Sequence, residues 1–183
     1  MKIRRIVTGR TPEGKSVVVS DAPAPRTHDL VHVPGMSSTV LWGTAPDGAA
    51  RLDGADPTPG FRWQLPGPGG TRFVIVVFPP DAVFTDSGFD PVAADMEQRE
   101  VSPGLAGLFE PDNPGMHTTD TVDCIVVLDG EVWLELDDGA MTPVRRGDTV
   151  VQNGTRHAWR NLGDAPVTLA VFHVGVRQEV QPS

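Results

Sequence analysis

Histidines and carboxylates are the side chains of this sequence that could support metal-based chemistry. Cys124 is the only cysteine, so the chain can form neither an intrachain disulfide nor a cysteine-rich zinc module. Any bound metal must therefore use histidine and carboxylate ligands. His117 and His157 stand in the glycine-containing segments PGMHTTDTVDCIVVLDG and GDTVVQNGTRHAWRN. The remaining histidines are interpreted as ordinary core or surface residues: His28, His32 and His173.

Asp123 lies on the same alternating stretch as His117. If this stretch is a regular strand, residues 117, 119, 121 and 123 share one face. Ile125 and Val127 continue that face, and a carboxylate among them is costly unless it is paired or bound to a metal. The same alternation turns Cys124 to the opposite face, where we interpret it as a packing residue rather than a nucleophile.

The two glycine-containing segments resemble the two motifs of the cupin superfamily. In the first, His117 matches the first motif histidine and Gly130 the closing glycine, and Asp123 stands where the family has glutamate. The second segment has Gln152 in place of the usual proline and is one residue shorter before its turn. It matches the family at Gly147, Gly154, His157 and Asn161. The resemblance covers about Arg72 to Val174 and is specific as a pair of motifs.

This resemblance implies one divalent metal ion held by His117, Asp123 and His157. The family has a second histidine where this chain has Thr119, which cannot replace imidazole as a strong ligand. Two histidines and one carboxylate suit iron, and also zinc, manganese or nickel, with open positions for substrate or water. We also note three candidate pocket residues: Thr119, Gln152 and Trp159.

The elements that must position these residues are predicted to be β-strands. The 20 glycines and 18 prolines fall between short runs rich in Val, Ile, Thr, Phe and Trp, which indicates an all-β fold. The resemblance implies a cupin double-stranded β-helix, a jelly-roll barrel, with N-terminal strands and a short helical insertion. The predicted strands are Lys2–Thr8, Ser16–Ser20, Ser38–Thr44, Arg72–Phe78, Thr121–Leu128, Glu131–Asp137, Asp148–Gln152, Arg156–Asn161 and Val167–Val174.

The dipeptide Asp129-Gly130 predicts a two-residue hairpin with positive φ at both turn positions. One face of this hairpin then carries Asp123, Ile125, Val127, Val132, Leu134 and Leu136. The other face carries Cys124, Val126, Trp133 and Glu135. This second face is still mostly apolar, so we expect either the N-terminal strands or a second subunit to cover it.

A single cupin domain is expected over residues 1–183, with its core barrel at about 72–174 and N-terminal strands and a loop over 1–71. An insertion over 81–116 precedes His117. Asp90 as N-cap with Pro91 predicts a short helix there, and Ser102-Pro103 predicts a second. Leu105, Leu108 and Phe109 would share one face of the second helix. The insertion is a lid over the barrel mouth, or else a plug or a dimer contact.

The charge balance excludes two classes of partner. With 15 Lys and Arg against 24 Asp and Glu, the net charge of −9 repels phosphate backbones and anionic lipids, so we expect neither nucleic acid nor membrane as a partner. No run approaches the roughly 20 apolar residues of a membrane span, and the start MKIRRIVTGRTPEG lacks a secretory apolar run. We expect a cytoplasmic homodimer that takes a small-molecule substrate.

Two classes of function fit these features. The first is a metal-dependent cupin enzyme for a small organic substrate, of the oxygenase type or the lyase, dehydratase or isomerase type. The second is a non-catalytic cupin that binds or senses a small molecule. The retained His117, Asp123 and His157 favour the enzyme, and Thr119 in place of a histidine favours the binder. Sugar-nucleotide epimerisation would need an acid-base pair that the motif positions do not supply.

Overall fold

The computed structural model describes residues 2–46, 52–61 and 65–177. Short 3₁₀ turns occur at Thr58–Gly60, Asp81–Thr85 and Asp137–Gly139. The helices are α1 (Pro91–Val101) and α2 (Pro103–Ala106). The strands are β1 (Arg4–Arg10), β2 (Ser16–Pro23), β3 (Arg26–Asp29), β4 (Ser37–Thr44), β5 (Thr71–Phe78), β6 (Thr121–Asp129), β7 (Glu131–Glu135), β8 (Met141–Arg145), β9 (Thr149–Asn153), β10 (Ala158–Arg160) and β11 (Val167–Gly175).

The all-β prediction is confirmed, and every predicted strand is present with its ends shifted by no more than 3 residues. Two further strands, β3 and β8, were not predicted. The side chains of β3 are polar and mostly exposed, so it shows no hydrophobic alternation. In β8, Pro143 argues against a strand, yet β8 lies at the edge of its sheet, where proline is tolerated.

Two sheets form the barrel. The larger has the strand order β3-β4-β5-β11-β6-β9, and the smaller has the order β10-β7-β8. Alternating side chains of both sheets meet in one apolar core, because every second residue of each strand points inward. The buried members of this core are Ile125, Val127, Val132, Leu134, Val144, Val167, Leu169 and Val171.

The predicted hairpin pairing of β6 with β7 is wrong, although the predicted inward face is correct. Strand β6 pairs with β11 and β9, whereas β7 pairs with β8 and β10. Among the described residues, Gly130 has a φ of 85° and Asp138 is the only non-glycine with positive φ, so Asp129 does not form the expected turn. The chain instead leaves one sheet at Gly130 and enters the other.

The N-terminal residues cover part of the outer face of the larger sheet. Ala24 and Leu41 pack on Ile75 of β5, with Ile3 and Ala170 at the edge of the same cluster. Farther across the sheet, Cys124 of β6 and Val151 of β9 remain exposed, whereas Val122 and Val126 of β6 are half-buried. The N-terminal residues therefore cover the β4 and β5 side of the sheet, and not the face of Cys124, Val126 and Trp133 for which a cover was predicted.

The insertion forms helices at both predicted positions, but α2 ends at Ala106, so Leu108 and Phe109 do not lie on it as predicted. The Asp90 carboxylate accepts hydrogen bonds from the backbone N–H groups of Val92 and Ala93, each at 3.0 Å, which confirms it as the N-cap of α1. Helix α1 packs through Ala94 on the segment around Leu30 and Val33, away from the barrel core. In the described part of the chain, no helix is long and apolar enough to cross a membrane.

Leu105 of α2 has a different partner from α1. It packs against Val40 of β4 and Val74 of β5, on the inner face of the larger sheet. Leu108, in contrast, is exposed. The insertion therefore has one part fixed to the outside of the barrel and one part that reaches into it.

Candidate functional site

The backbone brings His117 and His157 side by side. His117 precedes β6 and His157 precedes β10, and the two residues form an isolated antiparallel pair. Each N–H donates to the carbonyl of the other at 2.9 Å. Their imidazole rings are buried, with centroids 4.4 Å apart and planes at 45°. The two motif histidines, which are far apart in sequence, are thus joined by main-chain hydrogen bonds.

Backbone carbonyls fix the tautomer of both rings. The Nδ1 atom of His117 lies 3.0 Å from the Gly115 carbonyl, and that of His157 lies 2.9 Å from the Thr155 carbonyl. Because a carbonyl only accepts, Nδ1 must carry the proton in each ring, and Nε2 keeps its lone pair. Within the described ranges, neither Nε2 atom has a protein hydrogen-bond partner.

Gly115 is needed for this arrangement. Its φ of 85° lies in the left-handed region, and a Cβ there would approach Arg160 Nη1 to 3.2 Å. The carbonyl of Pro114 accepts a 2.7 Å hydrogen bond from that same nitrogen. The turn before His117 is therefore held against β10.

Asp123 is buried beside a histidine that the sequence did not connect with it. The register of β6 and β11 places Asp123 opposite His173, and His173 Nδ1 lies 2.8 Å from Asp123 Oδ1. The second carboxylate oxygen, Oδ2, makes no hydrogen bond with the part of the chain that the structure describes. His173 shows the inward alternation of Leu169 and Val171, but its pairing across strands with Asp123 cannot be read from a single sequence.

The predicted alternation from 117 to 123 is confirmed. His117, Thr119, Thr121 and Asp123 are buried, whereas Thr118 and Asp120 are exposed. The Thr119 hydroxyl accepts a 2.8 Å hydrogen bond from Thr121. The stretch thus keeps the geometry of a strand before β6 formally begins.

The other two pocket candidates have different roles. Gln152 lies opposite Asp123 in the β6 and β9 register, and its amide donates to the Thr155 carbonyl at 2.9 Å. It thereby stabilises the turn that carries His157. The Trp159 ring packs on the barrel core and lies edge-on to the His157 ring, with centroids 6.3 Å apart.

Burial keeps the two motif histidines neutral. It lowers the pKa of His117 to about 4, and the nearby His157 adds to this effect. Burial also lowers the pKa of His157, against the opposing influence of Asp123. Both rings are therefore uncharged at neutral pH, the state in which imidazole binds metals.

The end of the insertion covers His117. The Phe109 ring lies edge-on to the His117 ring, with centroids 5.0 Å apart. Next to it, the Glu110 carboxylate accepts two hydrogen bonds from Arg156, of 2.6 and 2.7 Å, and Asp137 binds the same guanidinium at 2.7 Å. This ion-pair network fixes the residues before His117 to the turn before His157.

The side chains of His117, His157 and Asp123 are not arranged as a complete metal site. Among residues 2–46, 52–61 and 65–177, no group of three or more His, Cys, Asp and Glu side chains is arranged to hold a metal ion. The chemistry of these side chains nevertheless fits a metal ion. The two histidine Nε2 atoms and Asp123 Oδ2 make no hydrogen bond to a described residue, whereas each histidine Nδ1 and Asp123 Oδ1 is held by a protein group.

Comparison with known proteins finds a family match over part of the chain. Residues 95–174 match the family model Cupin_2, described as a cupin domain. This part of the chain is therefore similar to a cupin domain. In the solved structures, it resembles a cupin 2 conserved barrel domain protein from Salinispora arenicola with 15% identity and a TM-score of 0.38, over 76% of this chain and 75% of that chain.

Two similar sequences come from fungal biosynthesis clusters. Phomopsin biosynthesis cluster protein D of Diaporthe leptostromiformis is 54% identical over 46 residues, which are 25% of this chain and 24% of that protein. Oryzines biosynthesis cluster protein J of Aspergillus oryzae is 50% identical over 59 residues, 32% of this chain and 33% of that protein. The matched segments thus span only about a quarter to a third of these relatives.

Proposed function

We propose that this protein is a metal-dependent cupin enzyme that acts on a small organic substrate in the barrel pocket. The observation that carries the proposal is the state of three donor atoms on buried side chains. Nε2 of His117, Nε2 of His157 and Oδ2 of Asp123 have no protein hydrogen-bond partner in the described ranges, while the opposite atom of each group is fixed. This pattern is typical of metal ligands oriented by outer hydrogen bonds.

The relatives support a role in small-molecule biosynthesis. Their names place them in the phomopsin and oryzines biosynthesis clusters, and the matched segments are half or more identical to this chain. We therefore favour chemistry on a biosynthetic intermediate, of the oxygenase type or the lyase, dehydratase or isomerase type.

The residues of the site have distinct tasks in this proposal. His117, His157 and Asp123 would hold one divalent ion of iron, zinc, manganese or nickel, which supplies Lewis-acid or oxygen-activating chemistry when bound. The neutral rings present Nε2 because the Gly115 and Thr155 carbonyls hold their Nδ1 protons. Phe109 covers His117 and would exclude water from a bound substrate.

A non-catalytic small-molecule-binding or sensing cupin is the second candidate. Two observations favour it. Thr119, where the family has a histidine, is bound to Thr121, and the described side chains do not form a converged ligand set. Such a protein would keep the barrel and its pocket but would turn over no substrate.

Metal analysis tests the proposal directly. Protein purified without chelator and without added metal should contain close to one divalent ion per chain by inductively coupled plasma mass spectrometry. His117→Ala and His157→Ala should each lose most of this metal while their circular dichroism remains that of a folded β-protein. His32→Ala is the matched control, because His32 is exposed and lies outside the site.

The outcomes separate the two candidates. Absence of metal from the wild-type protein would overturn the enzyme proposal and leave the binder. Metal that is retained equally in both alanine variants would show that the ion is held elsewhere, and the ligand assignment would then be wrong.

A further inference from the structure

A row of inward residues crosses the larger sheet at the level of Asp123. Arg72 of β5 lies opposite His173 of β11, which lies opposite Asp123 of β6, and Asp123 lies opposite Gln152 of β9. Directly opposed residues in antiparallel strands share a face, so Arg72 starts on the same inner face as the proposed metal donors. The next layer of the barrel is apolar, with Val74, Val171 and Ile125 in line.

The Arg72 side chain is held in place by neighbours of β4 and the following loop. Its Nη1 donates to the Thr71 carbonyl at 2.7 Å and to the Thr44 carbonyl at 3.3 Å. Its guanidinium carbon lies 3.9 Å from the centroid of the Phe61 ring. Gly43 leaves the space for it, since a Cβ there would lie 2.9 Å from Nη1.

This guanidinium has no carboxylate partner in the described ranges. The other part-buried arginines near the barrel are paired: Arg5 with Asp56, Arg156 with Glu110, and Arg160 with Glu135. Arg5 Nε and Arg72 Nε are both buried without a hydrogen-bond partner in the described part of the chain. Arg5 is compensated by its pair with Asp56, whereas Arg72 has no such carboxylate and its Nη2 makes no hydrogen bond to a described residue. A half-buried cation without a counter-charge is costly, and this chain has a net charge of −9.

We propose that Arg72 binds a carboxylate group of the substrate, so that the proposed enzyme acts on a small carboxylic acid. This inference rests on the proposed function of the site and names its substrate class. The planar guanidinium fork matches a carboxylate, and a carboxylate supplies the single negative charge that Arg72 lacks. A phosphate carries more charge than one guanidinium neutralises, and the buried Asp123 stands two strands away in the same row.

The length of such a substrate follows from the position of the guanidinium and not of the backbone. The backbone positions of Arg72 and Asp123 are two strands, roughly 10 Å, apart, since neighbouring strands are about 4.8 Å apart. The guanidinium itself reaches towards Thr44 of β4, so acids of different length are the appropriate probes.

Binding of simple acids to the metal-free protein tests this inference independently of metal. Acetate, succinate and glutarate are titrated by isothermal calorimetry at low salt, with succinamide as the uncharged analogue and inorganic phosphate as the competing anion. At least one acid should bind, and Arg72→Met should weaken it by about tenfold or more, as expected for loss of a charge-assisted pair. The affinity of Arg72→Lys for the acid should lie between those of the wild type and Arg72→Met, because lysine keeps the charge but not the planar pair of donors.

Arg146→Met is the matched control, since Arg146 is exposed and its loss changes the net charge equally. Thermal denaturation checks that each variant is folded, and metal content should be the same in Arg72→Met as in the wild type. Equal affinity of the wild type and Arg72→Met, or no binding of any of the three acids, overturns the inference. Tighter binding of phosphate than of all three acids overturns the carboxylate assignment. If the metal-free wild type binds succinate and Arg72→Met binds it more weakly, carboxylate binding by Arg72 is upheld even if the protein contains no metal.

Discussion

At the scale of single residues, two backbone carbonyls decide which nitrogen of each motif histidine is available. Gly115 and Thr155 accept from Nδ1, so Nε2 is left open in both rings. The sequence resemblance indicated which histidines belong together, but it contained no information on the tautomer. Two positions before each histidine, a turn supplies the carbonyl, and Gln152 stabilises one of these turns.

Thr119→His tests whether the position of the missing motif histidine faces the proposed metal. Thr119 is buried on the same face as His117 and Asp123, so an imidazole there would add a fourth protein ligand. We expect slower loss of metal to a chelator than in the wild type. Thr119→Val, which removes the hydroxyl without adding a ligand, is the control. Chelation at the wild-type rate in Thr119→His would show that this side chain points away from the ion.

Burial of neutral His117 predicts a pH-dependent stability of the metal-free protein. Its pKa is lowered to about 4 in the folded state, whereas an unfolded histidine titrates near 6.5. Between these values the unfolded chain binds more protons, so the free energy of unfolding should fall as the pH falls from 6.5 to 4. The loss due to His117 should be on the order of 3 kcal/mol at most.

Urea unfolding of the wild type and of His117→Gln at pH 7, 5.5 and 4.5 measures this effect. Other groups also contribute to acid sensitivity, so the difference between the two proteins is the relevant quantity. Glutamine does not titrate, and the variant should lose less stability over this range. Parallel pH profiles would mean that His117 is protonated in the folded protein as easily as in the unfolded chain.

At the scale of elements, strand positions and inward faces could be predicted, but strand partners could not. Alternation identified Ile125, Val127, Val132 and Leu134 as one buried set, which is correct. The same alternation is satisfied whether β6 pairs with β7 or the two lie in facing sheets, because both arrangements bury the same side chains. Only the conformation at Asp129 and Gly130 distinguishes them, and a local turn preference was overridden by the barrel.

The contact of Asp123 with His173 was missed for the same reason. It depends on the register of β6 with β11, strands that are far apart in the sequence. Arg72 was missed as well, because its place in the row depends on pairing of β5 with β11. The motif spacing, in contrast, was enough to bring His117 and His157 together.

We predict that the part of the insertion next to His117 moves as a gate. Amides between Asp90 and Phe109 should exchange faster than those of β6 in the free protein, and should slow when Zn²⁺ is added. Glu110→Gln breaks the ion pair with Arg156, which should raise exchange at residues 103–116 by about fivefold, as expected for loss of roughly 1 kcal/mol.

The control for this experiment is Asp95→Asn. It removes the exposed pair of Asp95 with Arg99 on α1, so it should leave exchange at residues 103–116 unchanged. Uniform strong protection of the insertion without metal would show that it is a fixed plug, since Leu105 already packs inside the barrel. The gating hypothesis would then be wrong.

At the scale of the whole molecule, the outer face of the larger sheet is covered only in part. The N-terminal residues pack on the β4 and β5 side, but Cys124, Val151 and Phe172 form an outward row on β6, β9 and β11. Val151 is 68% exposed and Phe172 is 40% exposed. This apolar face differs from the predicted one, because Trp133 lies on the smaller sheet and Cys124 lies on the larger sheet.

We propose that the protein is a homodimer in which a second copy of the chain covers the outer face formed by Cys124, Val151 and Phe172. A contiguous apolar sheet face is unfavourable in water, and a symmetric pair of such faces buries both at once. Sedimentation velocity should show a dimer at micromolar concentration, and Val151→Asp should shift it to monomer, because a charge on each copy would face an apolar partner. Val18→Asp is the control, since Val18 is 59% exposed on the separate β1 and β2 sheet. A stable interface buries about 1,000 Å² or more, so small-angle scattering should also resolve the change. A wild-type protein that sediments only as monomer, or a Val151→Asp dimer as tight as the wild type, would rule out this face as the interface.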